Sequence, residues 1–71
     1  VEAETVDLKI VDDVNIFIMH CDTGVSVKFG SSTNAAIENV THLSYKGNKT
    51  SIYISNPGTE DIAVSFATCS L

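Results

Sequence analysis

The chain has 71 residues, nine acidic and four basic, for a net charge of −5, and 44% of its residues are hydrophobic. A surface of that sign repels phosphate backbones and anionic lipid, so nucleic acid and membrane are excluded as expected partners. The apolar fraction suits a folded domain rather than a disordered acidic tail, and the length allows one domain that buries only about 60% of its unfolded surface.

Residues 1 to 5 read as a flexible, solvated acidic lead-in to a single domain spanning 1 to 71. Beyond them apolar residues recur at every second position, the period of a strand with one buried face. Val6, Leu8 and Ile10 alternate with Asp7 and Lys9. Val14, Ile16 and Ile18 repeat the pattern, with Phe17 and Met19 making the opposite face apolar too, which predicts a central strand covered on both sides. Val25, Val27 and Phe29 alternate with Ser26 and Lys28. After one helical turn expected near Asn34 to Val40, a weaker strand from Val40 to Tyr45 sets Leu43 and Tyr45 against His42. Ile52 and Ile54 form the next strand, and Ile62, Val64 and Phe66 the last.

Between these runs lie residues that turns require: Asp12-Asp13, Asp22-Thr23-Gly24, Gly30 to Asn34, Lys46 to Lys49 and Asn56-Pro57-Gly58. The resulting expectation is an all-β fold, a small antiparallel β-sandwich or barrel of about six strands joined by short connections.

Cys21 and Cys69 are the only cysteines, and a disulfide between them would staple such a fold. Closing a loop of roughly 49 residues would disfavour the unfolded chain by about 4 kcal/mol, against a total stability of about 5 kcal/mol for a domain of this size. The strand phases complicate the pairing: Cys21 alternates with Phe17 and Met19, whereas Cys69 falls opposite to Ile62, Val64 and Phe66. The bridge then requires either two covered faces or a bulge near Thr68.

A disulfide implies an oxidising compartment, hence a secreted protein. A chain starting at Val1 without methionine suits a processed product, and Asn39-Val40-Thr41 and Asn48-Lys49-Thr50 fit the glycosylation acceptor pattern at Asn39 and Asn48. No apolar run reaches the length of a membrane span.

Few residues suggest chemistry. His20 and Asp22 would share one face of a strand, and His42 could approach from a neighbouring strand, a set that suits zinc; a solvated or turn-capping role is the simpler expectation. Asp12 and Asp13, with Asp7, Glu60 or Asp61, lack the regular spacing of a calcium loop. Neither a metal nor any other cofactor is therefore expected. Ser31, Ser32 and Ser51 lie in polar sequence with no nucleophile elbow, so no catalytic residue and no enzyme is expected. Tyr45 and Tyr53 flank the Lys46 to Lys49 turn and read as a cross-strand pair or as rings for stacking on sugar. Recognition of a protein remains, through a sheet edge or through loops carrying Ser31, Ser32 and Asn56.

The run Asn15-Ile16-Phe17-Ile18-Met19-His20-Cys21, with Thr23-Gly24, the strand from Val25 to Phe29 and Gly30-Ser31-Ser32 after it, resembles the MAX effectors, small secreted effectors and toxins of plant-pathogenic fungi. That resemblance, over about 18 residues, implies a six-stranded β-sandwich whose disulfide ties an early strand to the far end of the chain. The chain departs from the family in that Cys21 follows two expected strands and no cysteines remain for a second bridge. No functional residue carries over. The reading is a secreted, non-enzymatic β-domain that recognises a protein partner; the alternatives are a structural or adhesive subunit self-associating through sheet edges, and a small carbohydrate-binding module.

Overall fold

The computed structural model describes all 71 residues. Three strands account for most of them: β1 Thr5–Phe29, β2 Ile37–Asn56 and β3 Val64–Cys69. They form one antiparallel sheet in the order β2-β1-β3, so the fold is all-β, as expected.

The expected six separate strands of a sandwich or barrel are not there; the sheet is open and has three. Three of the turn signals make bends rather than breaks. Asp13 takes a left-handed φ of 53°, and the β1–β2 ladder slips between Val11 and Val14 around it. Asp7 does the same at φ 50°, between Thr5 and Leu8. Aspartate tolerates this conformation better than most residues, so the extra residue bulges out while pairing resumes on either side. Lys46 to Lys49 likewise bends β2 without making a hairpin. Length requires such bending, because 25 residues of straight strand would span about 85 Å, whereas the longest dimension of the molecule is 36 Å.

Bending brings both ends of β1 onto the same part of β2. Ile54 pairs with Leu8 and with Val27, Tyr53 with Lys9 and Lys28, and Ile52 with Val11 and Phe29. The run from Ile52 to Asn56 is thus hydrogen-bonded along both edges, and Ile52 and Ile54 are fully buried. Around them pack Phe17, Met19, Cys21, Val25, Val27 and Val40. Leu43 and Tyr45 pack against this core while His42 points to solvent, as their alternation predicts.

Bulges also reverse two of the expected faces. Val6 is 77% exposed and Leu8 partly so, because the residue added at Asp7 shifts the phase of the first segment. In the next segment Phe17, Met19 and Cys21 are buried, while Ile18 is 54% exposed. This segment is paired on both edges but covered on one face, where two covered faces were expected. Asn34 to Val40 holds no helical turn; Ile37 already belongs to β2, and the Asn34 side chain donates to the Phe29 carbonyl.

The two cysteines are free, so the expected Cys21–Cys69 disulfide is absent. The β1–β3 ladder states the reason. Cys21 pairs with Val64 and Cys69 with Ile16, at opposite ends of six consecutive pairs. Five steps of strand separate the cysteines by about 17 Å, far beyond the roughly 7 Å limit of a bridge. They also point to opposite faces, Cys21 beside Met19 and Cys69 beside Ala67.

The lead-in is tied down rather than loose. Ile62 N–H donates to Val1 O at 2.8 Å, Ala3 N–H to Asp61 Oδ1 at 2.9 Å and Glu4 N–H to Gly58 O at 3.1 Å. Glu2 and Glu4 remain exposed, as expected of acidic residues there.

Candidate functional site

Two of the three expected metal ligands meet. His20 and His42 are direct partners on β1 and β2, and their rings lie 4.4 Å apart between centroids at 48°. Asp22 comes no closer than 3.9 Å to His20 Nε2, and its side chain is fully exposed. No three histidine, cysteine or carboxylate groups converge on a common point. The arrangement is a solvated pair of rings on the outer face, with Thr41 Oγ1 at 3.3 Å from His42 Nδ1.

The acidic residues are distributed and individually engaged. Asp7 forms an ion pair with Lys28 at 3.0 Å in a half-buried setting, and its backbone N–H donates to Ser55 Oγ. Lys28 also donates to the Ser32 carbonyl, so one lysine ties the first bulge to the loop after β1. Asp12 accepts from Ser51 Oγ at 2.6 Å, and Asp61 holds the Ala3 N–H.

Each residue expected to present a binding surface has a definite local role. Ser31 Oγ contacts Thr33 Oγ1 and accepts the Thr33 N–H, which shapes the turn; Ser32 supplies the carbonyl that meets Lys28. Tyr45 and Tyr53 do not pair across a hairpin, since both lie on the one strand β2. Tyr45 packs on Phe29 at 5.4 Å and donates to Asn48 O, while Lys9 Nζ sits 5.7 Å from the Tyr53 ring centre.

Asn56 is corrected outright: at 1% exposure it presents nothing to a partner. Its Nδ2 meets the carbonyls of Glu60, Glu2 and Val1 at 2.8, 3.2 and 3.3 Å, and its Oδ1 accepts the Gly58 N–H at 3.0 Å. It is a structural bracket between the loop before β3 and the start of the chain. Asn39 and Asn48, the two acceptor-pattern asparagines, are exposed.

The apolar surface lies along the β1–β3 pair. Phe66 is 49% exposed although its ring contacts Phe17, with centroids 5.9 Å apart. With Ile18, Met19, His20, Ser65 and Ala67 it lines a shallow depression of about 340 Å³. The alternation of Ile62, Val64 and Phe66 predicted an inward face, yet only Ile62 is buried and Val64 half so, because no strand lies beyond β3 to cover Phe66.

The outer edge of β3 has no strand partner. Between Asp61 and the end of the chain there is no charged side chain and no proline. The other terminal segment of the sheet, at the start of β1, is guarded by the Asp7 bulge and by Lys9, the devices that keep a sheet edge from pairing with foreign strands. β3 has none of them.

Near its start β3 neighbours Asp22, through the Cys21–Val64 pair, and follows Asp61. Near its end Ser70 Oγ donates to the Asp13 carbonyl, next to Asp12. Burial, and secondarily the Asp22 carboxylate, pushes the Cys21 thiol above its usual range, so it stays protonated and donates weakly to the Val40 carbonyl. No family model, no curated protein and no solved structure gives a significant match to the chain.

Proposed function

We propose that this chain is a secreted, non-enzymatic β-domain that acts by recognising a partner protein, in the manner of an effector or toxin. The observation that carries the reading is the unguarded edge of β3 beside the half-exposed Phe66 and Ile18. An exposed apolar strand with unpaired backbone groups is costly in a protein that must stay dispersed, and is retained where it meets something. The hydroxyls of Ser31 and Ser51 are engaged in turn and strand contacts, which favours a binding role over nucleophilic chemistry. Secretion is supported by the exposure of Asn39 and Asn48 in acceptor tripeptides.

The second reading is a structural or adhesive subunit, favoured by the same open edge. Light scattering during size exclusion separates the two: the effector-like protein elutes as one chain or a small oligomer, and growth of larger species at modest concentration sinks the recognition reading. A displayed library of protein fragments then tests recognition directly, and failure to enrich any fragment also counts against it. The carbohydrate reading is weaker, because both tyrosine rings are engaged within the fold; binding on a glycan array that is lost in Tyr45→Ala or Tyr53→Ala would restore it.

A further inference from the structure

We propose that the outer edge of β3 takes up an extended, cationic segment of a partner protein as an added strand. The inference rests on the recognition reading and gives it a place and a partner chemistry. Strand addition needs a row of unpaired backbone N–H and C=O groups that is straight and free of obstruction. Val64–Cys69 supplies six residues paired in unbroken register with β1 on one side and with nothing on the other. It contains no bulge, no proline and no charge, in contrast to the guarded start of β1.

The charges around that edge select the occupant. Asp22, Glu60 and Asp61 lie toward the Val64 end, and Asp12 and Asp13 toward the Cys69 end. The nearest lysine on the sheet, Lys46, sits opposite Ile16 and so is a further strand away from Cys69. A second copy of the chain would bring acidic ends together, whether its β3 paired in the antiparallel or the parallel sense. Like charges juxtaposed at an interface oppose association, and the net charge of −5 adds to that. A segment with an alternating apolar centre and lysine or arginine at both ends meets no such penalty. Its side chains on one face would extend the apolar strip of Ile18 and Ala67, and those on the other would cover Phe66.

The test uses a synthetic peptide, Lys-Lys-Val-Thr-Val-Thr-Val-Lys-Lys with blocked ends, titrated into the isotope-labelled protein and followed by NMR. The expected result is saturable shifts concentrated in Val64–Cys69, slower amide exchange there, and affinity at least about fivefold weaker at high salt. A peptide with glutamate in place of lysine, and one with proline at the centre, should not bind. Ala67→Lys, at an exposed position of β3, should weaken the cationic peptide at least about fivefold. Equal binding of the acidic or proline peptide, shifts confined to the Ser31 to Asn34 loop, or the absence of saturable shifts would overturn the assignment. So would concentration-dependent changes on β3 in the protein alone, which would name a second copy as the occupant. If the cationic peptide fails while displayed protein fragments still bind, the edge assignment falls and the recognition reading stands.

Discussion

Replacing Asn56 by alanine removes one carboxamide that holds three separated backbone segments. Its two N–H groups serve the carbonyls of Glu60, Glu2 and Val1, and its oxygen serves the Gly58 N–H. Two donors and one acceptor amount to about three hydrogen bonds at about 1 kcal/mol each, or about 3 kcal/mol. In a domain whose whole stability is about 5 kcal/mol, that lowers the melting temperature by roughly 15 °C. Thermal and urea unfolding followed by far-ultraviolet circular dichroism measure it. Asn56→Asp should lose at least as much at neutral pH, because a carboxylate would face carbonyl oxygens, and should recover part of the loss on acidification. Glu60→Ala serves as the control: it leaves the carbonyl in place and should change stability by less than about 0.5 kcal/mol. An Asn56→Ala variant that loses less than about 1 kcal/mol would refute the view of this residue as a bracket.

The separation of the two cysteines predicts that reductant leaves the melting temperature unchanged, and that a thiol reagent labels exposed Cys69 at once but buried Cys21 only on unfolding. A drop in melting temperature on reduction would show a bridge that the β1–β3 register forbids. Because burial and Asp22 raise the Cys21 thiol in the folded state, the folded protein holds that proton more tightly than the unfolded chain. Stability is therefore full below the ordinary thiol range, near 8.5, and declines as pH rises through it toward the raised value; Cys21→Ala should flatten that decline in urea titrations. A Cβ at Gly24 would sit 2.9 Å from Asn39 Cα, so Gly24→Ala should cost about 1–3 kcal/mol by chemical denaturation. Adding Asn39→Gly, which removes the facing side chain at a left-handed φ of 55°, should return part of it. Lys28→Met breaks the half-buried contact with Asp7 and Ser32 and should cost about 1.5–3 kcal/mol; a loss below about 0.5 kcal/mol in the same assay would mean that the pair behaves as a surface ion pair.

Period-two alternation made the strand content legible residue by residue. Val25, Val27, Ile52 and Ile54 read as core and are core, since a side chain's face on a strand follows from parity alone. The same rule failed at Val6 and Ile18, where one inserted residue reverses every face that follows it. Asp7 and Asp13, which make these insertions, differ in sequence from any aspartate in a turn by nothing that can be read locally. His20 and His42 did meet as their phases allowed, whereas Asn56 read as a loop residue because its bonds reach 54 and 55 positions along the chain.

Local composition sufficed for an all-β chain and for the positions where its backbone changes direction, because propensity and alternation act over a few neighbouring residues. Whether a change of direction ends a strand or merely bends it depends on where the next ladder hydrogen bonds close, and those partners lie far along the chain. Tertiary pairing alone therefore decided that there are three strands instead of six, that Cys21 and Cys69 stand at opposite ends of one ladder, and that the edge of β3 is left open.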